Sequence, residues 1–265
     1  MKRPCVLVFA GSDPSGGAGV QADIESIAAM GAHALPVITA LTMQDNDRVY
    51  AVHAVPPAWV QQQAQVLVDK IAIAAVKIGV VGNVANAQMI AALIATLRLR
   101  NPTLPVVLDP VLASGHGDAL SRDDAALTFA PLLALATVLT PNLPEAAALC
   151  AGDRRSERQI DTLLALGCEH ILLKGGHSLD VDVVNRWYTL GATRAWSWPR
   201  LPGAFHGSGC TLAAAIAGGL ATGLSVEAAL DAAQLFCHRA LEKSYAIAGG
   251  QRIPDRRNVE LKEAP

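Results

Sequence analysis

The stretch CVLVFAGSDPSGGAGVQAD, residues 5–23, sets the pattern for the whole chain. It begins with a continuous apolar run, passes through a loop with three closely spaced glycines, and leads into apolar residues at helical spacing. Such an apolar run is typical of a strand that is buried on both faces of a parallel sheet. Glycines in the following loop let backbone N–H groups approach a ligand closely. We therefore predict a strand, a tight ligand-facing turn and a helix.

Strand-like and helix-like segments alternate along the rest of the 265 residues. This alternation predicts an α/β fold with a mostly parallel central sheet and helices on both faces. The segments 183–188 and 193–198 flank a Leu-Gly-Ala turn and predict an antiparallel edge hairpin. We expect a single domain over residues 1–265, with a mobile tail from about residue 255. Ligands of such sheets bind beyond the carboxyl ends of the strands.

Composition excludes several classes of function. The net charge of −2 and the aromatic content of 4% argue against a nucleic-acid partner. The longest apolar stretch, residues 212–224, is too short to cross a membrane. The five cysteines form no CxxC pair, which argues against a zinc knuckle or a disulfide framework. We expect a cytoplasmic protein that acts on a small molecule.

A second glycine-rich segment, FHGSGCTL at residues 205–212, opens a predicted helix. Gly207, Ser208 and Gly209 would expose successive N–H groups at the helix N-terminus, where the dipole also favours an anion. Cys210 would lie on the first turn, where the pKa of a thiol is lowered. Three roles stay open for Cys210: an inert buried thiol, a proton acceptor, or a covalent nucleophile with His206 as partner.

Polar side chains follow three more predicted strands. Asp109 and Glu145 could hold a hydrated magnesium ion beside phosphates, because magnesium keeps several waters and few carboxylates. Alternatively, Asn142 and Glu145 only cap the following helix. Lys174 ends an apolar strand before two glycines and would be placed against phosphate oxygens, or would reach solvent.

Two nucleotide motifs can be compared directly with the sequence. Residues 17–22, GAGVQA, fit the GxGxxA dinucleotide pattern, so an NAD-dependent oxidoreductase is one alternative. No acidic residue ends the second strand, however, and this interpretation leaves HGSGC unexplained. The Walker A pattern does not occur, so a kinase would need a different phosphate cradle.

Together these motifs resemble one known family. GSDPSGGAGVQAD, TALTMQDN, VKIGVVG, VLDPVLASG, LTPNLPEA, LLKGGH and HGSGCTLAAAIA occur in the order found in hydroxymethylpyrimidine/phosphomethylpyrimidine kinases of thiamine biosynthesis, which belong to the ribokinase-like superfamily. The resemblance implies ATP-dependent phosphorylation of 4-amino-5-hydroxymethyl-2-methylpyrimidine, first to the monophosphate and then to the diphosphate. It also implies magnesium as cofactor and a homo-oligomer, most often a dimer.

The resemblance also implies roles for individual residues. Gln44 matches the glutamine that hydrogen-bonds the aminopyrimidine, for which an amide supplies both a donor and an acceptor. Asp23, Gly11 and Ala18 match positions around the same pocket. Cys210 matches the proposed base, and the residues of the anion hole and the nucleotide and metal sites are those described above: Gly207, Ser208, Gly209, Asp109, Asn142, Glu145 and Lys174.

The sequence departs from the family pattern in several places. Ser208 stands where threonine is usual, and Val184-Asn185 stand where an aspartate is common. Two alternatives to the pyrimidine kinase therefore remain besides the oxidoreductase. One is a pyridoxal or pyridoxine kinase on the same fold, and the other is a pyrimidine sensor without activity.

Overall fold

The computed structural model describes residues 2–113, 117–118, 120, 124–178 and 180–259. The strands are β1 Cys5–Ser12, β2 His33–Gln44, β3 Val49–Ala54, β4 Ile73–Ile78, β5 Val106–Leu108, β6 Val138–Leu139, β7 His170–Leu173, β8 Asp182–Tyr188 and β9 Thr193–Pro199. The helices are α1 Gly19–Ala29, α2 Pro57–Val68, α3 Val84–Arg98, α4 Ala125–Leu133, α5 Leu143–Leu149, α6 Ser156–Ala165, α7 Ser208–Ala221 and α8 Val226–Glu242.

All these strands form one sheet in the order β3-β2-β1-β4-β5-β6-β7-β8-β9. The six neighbouring strands β2, β1, β4, β5, β6 and β7 pair in parallel. At one edge β8 and β9 form the predicted antiparallel hairpin. The sequence analysis missed β3, which pairs antiparallel with β2 at the other edge. Its sequence VYAVHA is interrupted by His53 and its side chains are exposed or only partly buried, so it lacks the buried apolar pattern of the central strands.

Helices cover both faces of the sheet, and alternate residues of β1 show how the two cores are divided. Leu7 and Phe9 lie in the core beneath α2 to α6. Val6 and Val8 lie in the core beneath α1, α7 and α8. Side chains of successive strand residues point to opposite faces, so a strand between two helical layers must be apolar throughout. This explains the continuous run CVLVFA.

The chain after α8 is ordered further than we predicted. Arg256 is buried and Asp255 hydrogen-bonds the end of α8 through its N–H, so the expected mobile tail does not begin at residue 255. Residues 260–265 of that predicted tail lie outside the described residues. None of the helices in the described part of the chain has the length and apolar character that a membrane span requires.

Candidate active site

A cavity of about 560 Å³ lies beyond the carboxyl ends of the parallel strands. Its volume falls within the range of sites that bind small molecules and cofactors. The predicted site residues that line it are Gly11, Ala18, Gln44, Asp109, Asn142, Glu145, Lys174, Gly207, Ser208, Gly209 and Cys210. The exception is Asp23. The cavity therefore brings together the residues predicted for the aminopyrimidine, for the anion hole and for the metal.

One part of this cavity is formed by the N-terminus of α7. Gly207 is the N-cap residue and adopts a left-handed conformation with φ of 76°, and no side chain caps the helix. The N–H groups of the first turn are thus available to a ligand. A Cβ on Gly207 would lie only 2.1 Å from the carbonyl oxygen of Gly17. Only glycine fits where these two loops meet.

The Cys210 thiol lies in this first turn, and its environment differs from our prediction. Burial raises the pKa of Cys210, and the charges of Asp23 and Asp109 act in the same direction. The charge of Lys77 and a hydrogen bond from the backbone of Gly19 oppose this effect. The structure therefore does not show the expected lowering by the helix N-terminus, because burial of the thiol outweighs the charge of Lys77 and the hydrogen bond from Gly19.

The two glycine-rich loops are joined by Asp13 and His206. One carboxylate oxygen of Asp13, Oδ2, accepts hydrogen bonds from Ala18 N–H at 2.7 Å and from Ser15 Oγ at 3.0 Å, and it lies 2.9 Å from His206 Nε2. The other, Oδ1, accepts from Ser15 N–H at 2.8 Å. Burial opposes ionisation, but the interactions with His206 and Ser15 outweigh it and lower the pKa of Asp13 to about 2.

These contacts indicate a structural role for His206. Its Nε2 binds Asp13, and a Cβ on Gly17 would lie 2.2 Å from its Cδ2 atom. The ring is thus packed against the glycine loop and held by a carboxylate. It is a link between the loops and does not serve as the partner of Cys210 in a nucleophilic pair.

Lys174 lies between the carboxylates of Asp109 and Glu145. Its Nζ atom donates to Asp109 Oδ1 at 2.7 Å and lies 3.7 Å from Glu145 Oε2. Burial lowers the pKa of Lys174, but the charges of the two carboxylates outweigh it and raise the pKa. The ammonium group is therefore charged and faces the cavity, as expected for a group that contacts phosphate oxygens.

Asn142 and Glu145 form a reciprocal cap at the start of α5. Asn142 Oδ1 accepts from Glu145 N–H, and Glu145 Oε2 accepts from Asn142 N–H, both at 2.8 Å. The capping alternative is thus observed, yet both residues also line the cavity. Burial and the charge of Asp109 raise the pKa of Glu145 well above its usual range, although Lys174 opposes them.

The donor set fits a magnesium ion that is shared with phosphates. Within the described ranges there is no cluster of three or more acidic, histidine or cysteine side chains for a metal. Asp109 and Glu145 nevertheless supply hard oxygen ligands beside the cavity. Lys174 and Thr140 both bind Asp109 Oδ1, and Oδ2 lies 3.7 Å from the place of a Cβ on Gly209. Two carboxylates of this kind suit a largely hydrated magnesium ion.

Asp23, predicted to lie near the substrate, does not line the cavity. Asp23 is fully buried, and its Oδ2 accepts a hydrogen bond at 2.9 Å from Lys77, which is also fully buried. Burial lowers the pKa of Lys77, but the charges of Asp23, Cys210 and Asp109 outweigh it and raise the pKa. Lys77 lines the cavity and Asp23 does not. Asp23 therefore acts on the site through Lys77.

Sequence reasoning missed three buried charged side chains beside the site: Asp13, Lys77 and Arg256. Lys77 had a signal, because a lone charge in the apolar strand AVKIG must find a buried partner. Asn185, which stands near a position where the family commonly has an aspartate, makes structural hydrogen bonds. Its Oδ1 accepts from Gly175 N–H at 2.9 Å, and its Nδ2 donates to Gln234 Oε1. This contact holds the glycines after Lys174.

Comparison with known proteins now places the chain. The profile of the phosphomethylpyrimidine kinase family matches residues 13–254. The hydroxymethylpyrimidine/phosphomethylpyrimidine kinase of Streptomyces coelicolor is 39% identical over 254 residues, which cover 93% of this chain and 92% of that protein. The chain belongs to the phosphomethylpyrimidine kinase family.

Two solved structures agree with this assignment. The phosphomethylpyrimidine kinase of Clostridium difficile is 30% identical with a TM-score of 0.74, over 89% of this chain and 98% of that one. The pyridoxal kinase of Staphylococcus aureus in complex with pyridoxal is 25% identical with a TM-score of 0.86, over 97% and 94%. The predicted ribokinase-like fold and the predicted kinase of thiamine biosynthesis are thus confirmed. The oxidoreductase interpretation of GAGVQA is wrong.

Proposed function

We propose that this phosphomethylpyrimidine kinase uses one domain and one cavity for two successive transfers from ATP. The first acceptor is the hydroxymethyl oxygen of 4-amino-5-hydroxymethyl-2-methylpyrimidine, and the second is the phosphate of the product. The observation that carries the proposal is the shared cavity. It joins a pocket lined by Gln44, Gly11 and Ala18 to the uncapped N-terminus of α7 and to Lys174.

The ring pocket suits a small flat heterocycle. Gln44 offers an amide with both donor and acceptor, which matches a ring nitrogen beside an amino group. Gly11 and Ala18 present backbone and small side chains, so a ring can approach closely. Lys77, held by Asp23, adds a fixed positive charge to this side of the cavity. The charge suits the second acceptor better than the first, because only the monophosphate is an anion.

The anion hole suits the transferring phosphoryl group. Phosphoryl transfer requires mostly positioning and stabilisation of charge. The N–H groups of Ser208, Gly209 and Cys210 start α7 at the cavity, and Lys174 adds a cation. Fixed donors of this kind stabilise charge that develops in the transition state without reorganising.

Cys210 serves only the first transfer in this proposal. The hydroxyl of the first acceptor loses a proton as the P–O bond forms, and the Cys210 sulfur is the proposed proton acceptor. The second acceptor is already ionised and needs no base. Because the pKa of Cys210 is raised, the rate of the first transfer should still increase with pH above about pH 8, whereas the second should not.

Asp109 and Glu145 would hold magnesium in this site, mainly through water. When bound, the ion neutralises phosphate charge. The residues of the chain have two further roles: Lys174 offsets the repulsion between the two carboxylates, and the Asn142 cap orients Glu145. We further propose that the protein is cytoplasmic and forms a homodimer. Analytical ultracentrifugation of the purified protein would test the dimer.

The Cys210→Ala variant tests this assignment, with Cys5→Ala as a matched control in β1. We expect the first transfer to fall by about 10² to 10⁴, the usual contribution of a general base, and the second to fall by less than about threefold. Single-turnover measurements with the alcohol and the monophosphate as separate acceptors distinguish the two steps. Equal losses in both steps would exclude Cys210 as proton acceptor and leave it a packing role.

A further inference from the structure

The chain after α8 returns to the active site as a C-terminal strap, residues 249–256. The strap pairs with the loop before α7: His206 N–H donates to Arg252 O and Arg252 N–H donates to Ala204 O, both at 2.9 Å. On the substrate side, Asn46 Nδ2 donates to the carbonyls of Gly249 and Gln251 at 2.9 Å. The strap therefore contacts both the loop before α7 and the segment after β2, and its Gln251 lines the cavity.

Arg256 at the end of the strap is one of the most buried side chains of the protein, with 1% of its surface exposed. Its Nη2 donates to the carbonyl oxygen of Gly17 at 2.5 Å, and its Nε donates to Thr211 Oγ1 at 2.8 Å. Its Nη1 lies 3.5 Å from Glu25 Oε2 without a hydrogen bond. A guanidinium that is buried with an unsatisfied nitrogen costs free energy, so packing alone does not explain it.

Both acceptors of Arg256 lie where the two glycine loops touch. Gly17 O is the atom that a Cβ on Gly207 would strike, so it marks the contact between the loops. The Thr211 hydroxyl in turn donates a hydrogen bond to Gly207 O at 2.8 Å. One planar group thus binds the glycine loop directly and the N-cap of α7 through a hydroxyl. A lysine has one nitrogen and could not reach both positions with the same geometry.

We propose that Arg256 is a positioning residue that fixes the distance between the glycine loop, residues 13–19, and the first turn of α7. The residue lies beyond position 254, where the family match ends. Arg256 contacts Gly17 and Thr211, and Asp13 contacts His206, so the two loops are held by a cation and an anion. The mechanical part of this proposal is independent of the reaction; its effect on phosphoryl transfer rests on the proposed function.

Amide hydrogen exchange tests the mechanical part directly in the full chain. The variant is Arg256→Met, and the matched control is Arg257→Met, because the neighbouring Arg257 is exposed and its side chain lies 3.7 Å from the same Glu25. We expect peptides covering residues 13–19 and 207–211 to exchange at least about tenfold faster in Arg256→Met, with β1 and the control unchanged. Unchanged exchange in both loops, or faster exchange throughout the fold, would overturn the proposal.

A second variant covers the case in which Arg256→Met fails to fold. Thr211→Val removes the hydroxyl between Arg256 and Gly207 but leaves the contact with Gly17. We expect faster amide exchange over residues 207–211 and an unchanged rate over residues 13–19. Equal loosening of both loops, or of neither, would contradict a role for Arg256 at two separate points.

Kinetics test the effect on catalysis. A small displacement of transition-state donors costs about 10²-fold, so kcat of Arg256→Met should fall about 10- to 100-fold. KM for the pyrimidine alcohol should rise by a smaller factor than kcat falls, because two of the three ring-pocket residues, Gln44 and Gly11, lie outside the loosened loop and Ala18 lies within it. An increase in KM alone would overturn the positioning role. If the wild-type protein transfers nothing while the exchange pattern holds, the proposed function fails and the mechanical role of Arg256 stands.

Discussion

Replacing Asp13 by asparagine tests how the two glycine loops are joined. The Ala18 and Ser15 N–H groups bind different oxygens of the Asp13 carboxylate, at 2.7 and 2.8 Å. Asparagine keeps only one acceptor oxygen. In either orientation of the amide, its NH₂ group would face a backbone N–H of the loop. Asparagine has nearly the same size as aspartate, so the substitution removes the charge and one acceptor with little change in packing.

The structure gives the size of the effect. The pKa of Asp13 falls from an ordinary value of 3.8 to about 2, because the interactions with His206 and Ser15 outweigh burial. That difference corresponds to about 2 kcal/mol of stability for the ionised form. A buried N–H left without an acceptor costs about 1–3 kcal/mol more. Since the two effects overlap, we expect Asp13→Asn to lose about 3 kcal/mol.

Urea denaturation at several pH values measures this loss. A group with a lowered folded pKa stabilises the protein fully above its unfolded pKa and loses the effect as the pH falls through the folded value. The contribution of the Asp13 carboxylate to this difference should therefore be fully present at about pH 5 and shrink between about pH 4 and 2. Asp69→Asn, on the surface, should change stability by less than about 0.5 kcal/mol. A loss from Asp13→Asn no larger than that control would refute the reasoning.

Three further substitutions follow from the same contacts. Lys174→Met should destabilise the protein by about 3 kcal/mol and abolish turnover, because it leaves Asp109 and Glu145 without their cation; adding Glu145→Gln should restore part of the melting temperature and none of the activity. Gly17→Ala should cost at least about 2 kcal/mol, since the new Cβ would meet His206, whereas Gly191→Ala, with open space around it, should cost less than about 1 kcal/mol in the same denaturation assay. Lys77→Met should cost about 3–5 kcal/mol of stability, because it leaves Asp23 buried without its cation. The double variant Lys77→Met/Asp23→Asn should lose much less than the sum of the two single variants, and additive losses would argue against the buried ion pair.

Much of the fold follows from local sequence patterns. The apolar runs around Val6 and Ile171 predict buried parallel strands, since a strand covered on both faces is apolar throughout. Edge strand β3 could not be found in this way. Its apolar run is short and ends at His53, side chains such as Tyr50 are exposed, and its pairing with β2 depends on the turn between them. Edge strands carry a weaker signal because only part of their surface is buried.

The site was predictable where residues follow strand ends or start a helix. Lys174 and Cys210 are examples, because parallel strands bring their carboxyl ends to one edge of the sheet. Asp23 shows the limit of the method. Its place in a motif indicated importance but not that Lys77 separates it from the cavity. Arg256 gave no signal at all, because its partners are more than 40 residues away along the chain.

The most direct test of the central claim is a coupled ADP-release assay on the purified protein with ATP and magnesium. The pyrimidine alcohol and pyridoxine are offered separately, and the masses of the products are determined. The account predicts the pyrimidine monophosphate followed by the diphosphate, with much slower turnover of pyridoxine. Turnover of pyridoxine alone, or no turnover of either alcohol, would contradict it.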